Sequence, residues 1–318
     1  MSLLSVIVPA YNEEPMINLT TLKLTTVLNK ANICYELLFV DDGSNDKTWF
    51  AIQRVANGNP AVRGIHFSRN FGKEAAILAG LSESNGDCVA VMDCDLQHPP
   101  EKLVEMYRLW EKGYEIVEGV KTNRGKENCL HSFAANLFYT IISKGSDFNM
   151  ENASDFKLLD RRAVDVLINM REQNAFFRAL SSWIGFKTAT VPFQVQERVA
   201  GESKWSTYAL VKYAINNIAS FSTVPMQFVT VLGVAVFLIS LIFGVIAIVQ
   251  KIAGVAKPGF TTIILIMTFS SSIIMISLGI IGYYIARIYE EIKGRPRYII
   301  SQTCGNTKDK THDKEDIG

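Results

Sequence analysis

Cysteine is scarce in this chain, five in 318 residues, and no two stand at CxxC or metal-ligand spacing. A disulfide scaffold and a structural zinc site are therefore excluded, and the thiols are expected to be reduced. Net charge is nearly absent too: 32 basic against 31 acidic side chains leave +1. A nucleic-acid binder is normally far more basic. Disorder as the main state is excluded, because hydrophobic residues make up 48% of the chain and net charge is low. No GxGxxG follows the first strand-like run; Pro9-Ala-Tyr-Asn-Glu13 stands there instead, which argues against a dinucleotide-binding enzyme. The first residues carry no basic n-region and no cleavage site, so no signal peptide is expected.

Charge is also missing from two long runs. No Lys, Arg, Asp or Glu occurs from Tyr213 to Gln250 or from Pro258 to Ala286. These runs account for a mean hydropathy of +0.16, high for a chain of which 20% is charged. Met226–Val249 and Phe260–Ala286 can each cross a hydrocarbon core of about 30 Å at about 1.5 Å per residue. Neither has the polar stripe of a core helix. Two transmembrane helices are expected, forming a hairpin over residues 225–290. The connector Lys251–Gly259 has two lysines, whereas Lys204 and Lys212 precede the hairpin and Arg287, Lys293, Arg295 and Arg297 follow it. By the positive-inside rule both termini are cytoplasmic, in a cell (plasma or inner) membrane. Residues 205–223 read as an interfacial helix, and 291–318 as a cytoplasmic, partly disordered tail. Residues 1–212 hold 23 basic and 25 acidic side chains, so the helices rather than net charge would tether this domain.

Within the first 120 residues, β-branched runs at Ser5–Pro9, Glu36–Val40, Val62–Phe67, Cys88–Met92 and Tyr114–Val120 alternate with helix-like stretches. Strand starts recur every 26–31 residues, the length of one βα unit, so a Rossmann-like, mostly parallel α/β sheet is expected. In such a sheet ligands sit outside the carboxyl ends of the strands. The second run ends in Asp41-Asp-Gly-Ser-Asn-Asp46 and the fourth in Asp93-Cys-Asp-Leu-Gln-His98. A cap or turn explains Asp46, with Ser44 or Asn45 capping the next helix. It explains Asp93 and Asp95 poorly, since two acids one residue apart repel unless a cation or donors compensate them. Hard oxygen ligands suit Mg²⁺ or Mn²⁺ held with a substrate phosphate, so Asp93 and Asp95 are read as metal ligands and Gln97 as a third. His66 reads as a structural histidine, and Asp160 as the cap of a helix begun by Arg161-Arg162.

Five motifs then occur in order: Val8-Pro-Ala-Tyr-Asn-Glu13, Val40-Asp-Asp-Gly-Ser44, Arg69-Asn-Phe-Gly-Lys-Glu74, Asp93-Cys-Asp-Leu-Gln-His-Pro99 and Arg198-Val-Ala-Gly-Glu-Ser-Lys204. Together with the hairpin they resemble family 2 inverting glycosyltransferases of the GT-A fold. More narrowly, the chain is similar to polyprenyl-phosphate sugar transferases of the GtrB-like and dolichyl-phosphate mannose synthase type. The resemblance implies that Pro9, Tyr11, Glu13 and Asp41 hold the base and ribose of a nucleotide-sugar. It also implies that Asp42 and Lys73 lie along that donor, with Asp93, Asp95 and Gln97 on the metal and Arg198 and Lys204 closing over the leaving diphosphate. Asp155 matches a position proposed as catalytic base, or it orients the sugar, or it merely bonds backbone at a strand start. The implied acceptor phosphate needs a basic socket, which Lys121, Arg124 and Lys126 after the fifth strand would supply; His131 and Ser132 stand where similar sequences carry further basic residues, and join this group. The implied reaction transfers a hexose, with UDP-glucose preferred over UDP-N-acetylglucosamine or GDP-mannose, to undecaprenyl phosphate, within a homo-oligomer. A processive synthase is disfavoured because Gln194-Val-Gln-Glu-Arg198 is not followed by Trp. A flippase or non-catalytic subunit is the remaining alternative, although the spans lack ionisable groups.

Overall fold

The structure, a computed structural model, describes residues 2–121, 154–170, 177–194, 224–254 and 259–305. The chain forms two compact units, one built on a sheet and including Arg295 onward, the other containing two long helices.

In the sheet unit, β1 (Leu3–Ala10) and β2 (Cys34–Asp41) are buried along almost their whole length. That fits continuous apolar strands covered on both faces. They alternate with α1 (Glu14–Lys30), α2 (Thr48–Gly58), β3 (Val62–Phe67), α3 (Lys73–Glu83), β4 (Cys88–Val91), α4 (Glu101–Glu111) and β5 (Ile116–Lys121). Pro15 opens α1 at a position where a missing N–H costs nothing. Helix α3 packs closely on β1 at Gly80, where a Cβ would lie 2.3 Å from Ile7 Cγ2. Two short helices follow, α5 (Arg161–Asn169) and α6 (Phe177–Trp183). Asp160 caps α5 as expected, its carboxylate accepting the Arg162 N–H at 3.0 Å.

The eight strands lie in the order β7-β5-β6-β4-β1-β2-β3-β8, where β6 is Lys157–Asp160, β7 is Thr188–Phe193 and β8 is Ile300–Cys304. β3, β2, β1 and β4 run parallel, so their carboxyl ends share one edge. β6 enters antiparallel between β4 and β5, with Lys157 opposite Val91. A strand running the other way starts where its neighbours finish. Asp155, two residues before β6, is thereby delivered to the acidic edge.

The segment after the second long helix departs from expectation. Residues 291–318 were expected as a partly disordered tail, yet Ile300–Cys304 pairs antiparallel with β3, Gln302 opposite His66. The strand Ile-Ser-Gln-Thr-Cys is polar and without apolar alternation, so no periodicity announces it. Specific contacts fix it: Ser68 N–H donates to Ile299 O at 3.0 Å, and Tyr298 stacks on Phe67 with centroids 5.3 Å apart.

In the second unit, α7 (Val224–Ile252) and α8 (Phe260–Ile292) have 29 and 33 residues. Val231–Gln250 has a mean hydropathy of 3.0 and Phe269–Ile292 one of 1.7. Both are long and apolar enough to cross a membrane, and their aliphatic side chains, such as Leu241, Ile248 and Met275, are exposed. A continuous apolar surface of this extent is expected to meet lipid rather than water. The second helix runs past the expected end at Ala286 to Ile292. The expected interfacial helix over 205–223 lies outside the described residues.

Candidate active site

The loop after β1 is stitched to the loop after β2. Asp41 is fully buried at the end of β2, its Oδ1 accepting the Ser44 N–H at 3.1 Å and the Ser44 hydroxyl. Asp41 Oδ2 lies 2.7 Å from His66 Nδ1. Ser44 Oγ in turn accepts the Asn12 N–H at 2.8 Å, and Thr48 Oγ1 accepts the Glu13 N–H at 2.8 Å. Asn12 adopts φ 54°, a left-handed turn that Asn tolerates. Tyr11 and Glu13 thus stand on a tightly held, partly exposed loop, and Pro9 sits at the end of β1 that leads into it. Neither Ser44 nor Asn45 caps α2, because the Ser44 hydroxyl is engaged by Asp41; the Thr48 N–H at the helix start is met by Asp46 Oδ1 at 2.9 Å.

Asp42 points away from open space. It is buried and accepts the backbone N–H groups of Phe71 at 2.7 Å and Gly72 at 2.9 Å. Burial, with a smaller contribution from the charge of Asp41, pushes its pKa up to about 6 despite those donors. Gly43 makes the contact between the two loops possible. At φ +64°, a Cβ there would lie 2.4 Å from the carbonyl carbon of Arg69.

Beside these loops lies a compact ionic cluster. Asp155, nearly buried, receives the Arg178 guanidinium through Nε at 2.6 Å and Nη2 at 3.0 Å, and the Lys73 ammonium at 2.8 Å. Lys73 also reaches Asp93 Oδ1 at 2.5 Å. Burial opposes the charge on Asp155, but Lys73 and Arg178 outweigh it and hold the carboxyl well below the usual range. Burial likewise opposes the Lys73 charge, and Asp155 and Asp93 together keep its ammonium above the usual lysine range. Glu74 accepts the Phe177 N–H at 2.9 Å, which fixes the start of α6 and so the base of Arg178. Burial first, and then repulsion by Asp155, push Glu74 up to about 7. Lys157, almost wholly buried, braces α6 from the other side through Ser181 Oγ at 2.9 Å and pairs with Glu118 at 3.1 Å.

Asp93, Asp95 and Gln97 follow β4 in a turn that Leu96 completes at φ 57°. Asp95 Oδ1 accepts the Gln97 backbone N–H at 3.1 Å, while the Asp93 side chain stays 30% exposed and anionic. His98 stacks on Phe156 with centroids 4.8 Å apart, and its Nδ1 accepts the Asp93 N–H at 3.3 Å. Lys121 ends β5 within reach of these charges. Partial desolvation and then repulsion by Arg178 lower its pKa, while Asp93 and Asp155 pull the other way. Among the described residues no group of three His, Cys, Asp or Glu converges to cage a metal.

The structure therefore brings Lys73, Asp93 and Asp155 together, with Asp95 and Gln97 on the turn that carries Asp93, and Lys121 close enough to feel these charges. Arg124, Lys126, His131, Ser132, Arg198 and Lys204 lie outside the described residues. Sequence reasoning missed Arg178, Glu74, His98 and Lys157. A lone cation inside Ala175-Phe-Phe-Arg-Ala-Leu180 was the available signal for Arg178. Glu74 and His98 lie inside the Arg69–Glu74 and Asp93–Pro99 motifs without having been given a role, and no signal marks Lys157.

An acidic turn and a clamped carboxylate at the carboxyl edge of a mostly parallel sheet agree with the GT-A glycosyltransferase arrangement that the resemblance implies. The chain belongs to glycosyl transferase family 2, whose description matches residues 5–167. It is 36% identical over 304 residues to an uncharacterized glycosyltransferase of Synechocystis, covering 95% of this chain and 96% of that one. It is 35% identical over 301 residues to a prophage bactoprenol glucosyl transferase homolog of Escherichia coli, covering 94% and 98%. With a bactoprenol glucosyl transferase of Shigella phage SfII it shares 34% over 302 residues, covering 94% and 98%.

Proposed function

We propose that the protein transfers a hexose from a nucleotide-sugar, with UDP-glucose preferred, to undecaprenyl phosphate at the cytoplasmic face of the membrane. The product would be a lipid-linked sugar for cell-envelope glycosylation. The observation that carries this reading is the Lys73–Asp155–Arg178 cluster lying against Asp93 in a chain with two apolar helices of membrane length. The names of the bactoprenol relatives support the acceptor class.

An acceptor phosphate oxygen attacks the anomeric carbon, the bond to the diphosphate breaks, and configuration inverts as the nucleoside diphosphate leaves. A phosphate monoester has a second pKa near ~6 and is already largely ionised at neutral pH, so this attack needs no general base. That suits Asp155, whose two oxygens are both engaged by cations. We assign it the fixed anion that positions Lys73 and Arg178, not a proton acceptor. Lys73 lies along the donor diphosphate, and Lys121 faces the acceptor phosphate with Arg124, Lys126, His131 and Ser132. Arg198 and Lys204 close over the leaving group, whose growing charge a cation clamp stabilises.

The donor set fits Mg²⁺ or Mn²⁺. Asp93 and Asp95 are hard oxygen ligands, and such ions use one or two carboxylates completed by substrate phosphates. When bound, the ion neutralises charge on the diphosphate. A homo-oligomer, dimer or tetramer, belongs to this reading because two helices alone offer little packing surface. Substituting Asp95→Asn in the purified protein tests the assignment: turnover should be lost while the fold survives, and a chelator should have the same effect. Unchanged turnover would refute the role given to Asp95, and no transfer by the wild type itself would favour a flippase or scaffold.

A further inference from the structure

β8 adds little to the core. Three of its five residues are exposed, and the chain reaches it only after both long helices. Its contacts lead elsewhere, along two arms. In the first, Gln302 Oε1 accepts the Trp49 indole N–H at 2.7 Å, and Trp49 stacks on His66 with centroids 5.1 Å apart. Ser301 Oγ donates to the His66 carbonyl at 3.1 Å. From His66 the path continues to Asp41 at 2.7 Å and through Ser44 Oγ to the Asn12 N–H at 2.8 Å. In the second arm, Tyr298 stacks on Phe67, and Phe67 meets Phe71 edge-on with centroids 5.8 Å apart. Phe71 donates its N–H to Asp42.

Both arms end on the loops at the donor side, Tyr11–Glu13 and Arg69–Gly72. We propose that the strand after the membrane hairpin is a brace for the nucleotide pocket, with His66, Trp49, Gln302 and Tyr298 as positioning residues that set donor affinity. The proposal rests on reading those loops as the nucleotide site. Its physical basis is the burial of Asp41. A fully buried carboxylate oxygen that loses its partner must find another or turn. Turning it releases Ser44, and with it the Asn12 backbone. A pocket held in its bound shape binds more tightly because less ordering remains to be done. Spatial continuity alone does not establish coupling, so the test must measure it.

The full-length protein in detergent is titrated with UDP and with GDP in the presence of Mn²⁺ by calorimetry. His66→Phe keeps a ring against Trp49 and removes the nitrogen facing Asp41. It should weaken binding of the preferred nucleotide roughly tenfold, the loss of about one hydrogen bond to a charged group, with kcat at saturating donor within about twofold of wild type. Gln302→Leu should weaken it about threefold, and Gln302→Glu, which keeps an acceptor oxygen for the indole, should restore it. Should His66→Phe fail to fold, the Gln302 pair decides. Unchanged affinity in a folded His66→Phe or Gln302→Leu protein, or a fall in kcat or thermal stability without a change in affinity, overturns the brace. If wild type binds neither nucleotide, the nucleotide reading itself falls and takes the brace with it.

Discussion

Replacing Asp155 by asparagine would remove one negative charge from between two cations. The carboxylate is 5% exposed, with the Arg178 guanidinium at 2.6 and 3.0 Å and the Lys73 ammonium at 2.8 Å. Removing one partner of a buried ion pair costs about 3–5 kcal/mol. Here the side chains of Lys73 and Arg178 are 36% and 28% exposed, and Lys73 retains Asp93. Solvent screening then reduces the cost to about 2–3 kcal/mol. For a domain of this size that corresponds to a fall in apparent Tm of roughly 5–10 °C. The sign with pH follows from the lowered carboxyl. Its stabilisation is present above the ordinary carboxylate range near ~4 and is lost only as pH falls through the lower folded-state value. The deficit of Asp155→Asn should therefore be full near pH 5 to 6, shrink in stronger acid, and narrow above about pH 7, where ionised Glu74 repels Asp155 in the wild type alone. Thermal unfolding in detergent across that range, paired with hexose transfer, measures both. An unchanged Tm refutes the fixed-anion account. So does a limb in the wild-type pH–rate profile between about pH 5 and 8 that vanishes in Asp155→Asn but persists in Glu74→Gln, which removes the other group titrating there.

Glu74→Gln keeps an acceptor for the Phe177 N–H and removes a charge whose pKa stands near 7. Because the folded pKa is raised, the wild type loses stability as pH climbs through that value. The variant should be more stable at pH 8 by roughly 1–2 kcal/mol after allowing for partial exposure, with a flatter profile between about pH 5 and 7. Denaturant melts at several pH values check this. Gly43→Ala sets a methyl group 2.4 Å from the Arg69 carbonyl carbon at φ +64°. The left-handed turn alone costs about 1–2 kcal/mol, and the two loops must part, so nucleotide binding by calorimetry should be lost. Lys157→Met leaves Glu118 without its ion pair and should cost about 3 kcal/mol, most of it recovered in the double variant with Glu118→Gln.

The parallel half of the sheet was legible because buried strands write themselves as apolar runs and their helices fill the spaces between. The expected Ser5–Pro9, Glu36–Val40 and Val62–Phe67 became Leu3–Ala10, Cys34–Asp41 and Val62–Phe67. The acidic edge was legible from topology, since parallel strands end together. The antiparallel additions were harder to see. β6 is four residues long, and β8 is polar and joined to a distant partner strand. Arg178 follows Asp155 by 23 residues with no periodic relation, and only the fold makes them neighbours. Nothing in the sequence marks Lys157 as buried, yet it is 1% exposed because Glu118 and Ser181 receive its ammonium. Asp41 and Asp42 were expected beside the nucleotide-sugar; both turn inward, holding loops in place.

The most direct test of the account is transfer itself. Purified protein with Mn²⁺ or Mg²⁺ is incubated with undecaprenyl phosphate and, separately, UDP-glucose, UDP-N-acetylglucosamine and GDP-mannose, and organic-soluble labelled sugar is counted. The account predicts lipid-linked hexose, most from UDP-glucose, with nucleoside diphosphate released only when the lipid phosphate is present. No lipid-linked sugar from any of the donors, with either metal, would contradict it.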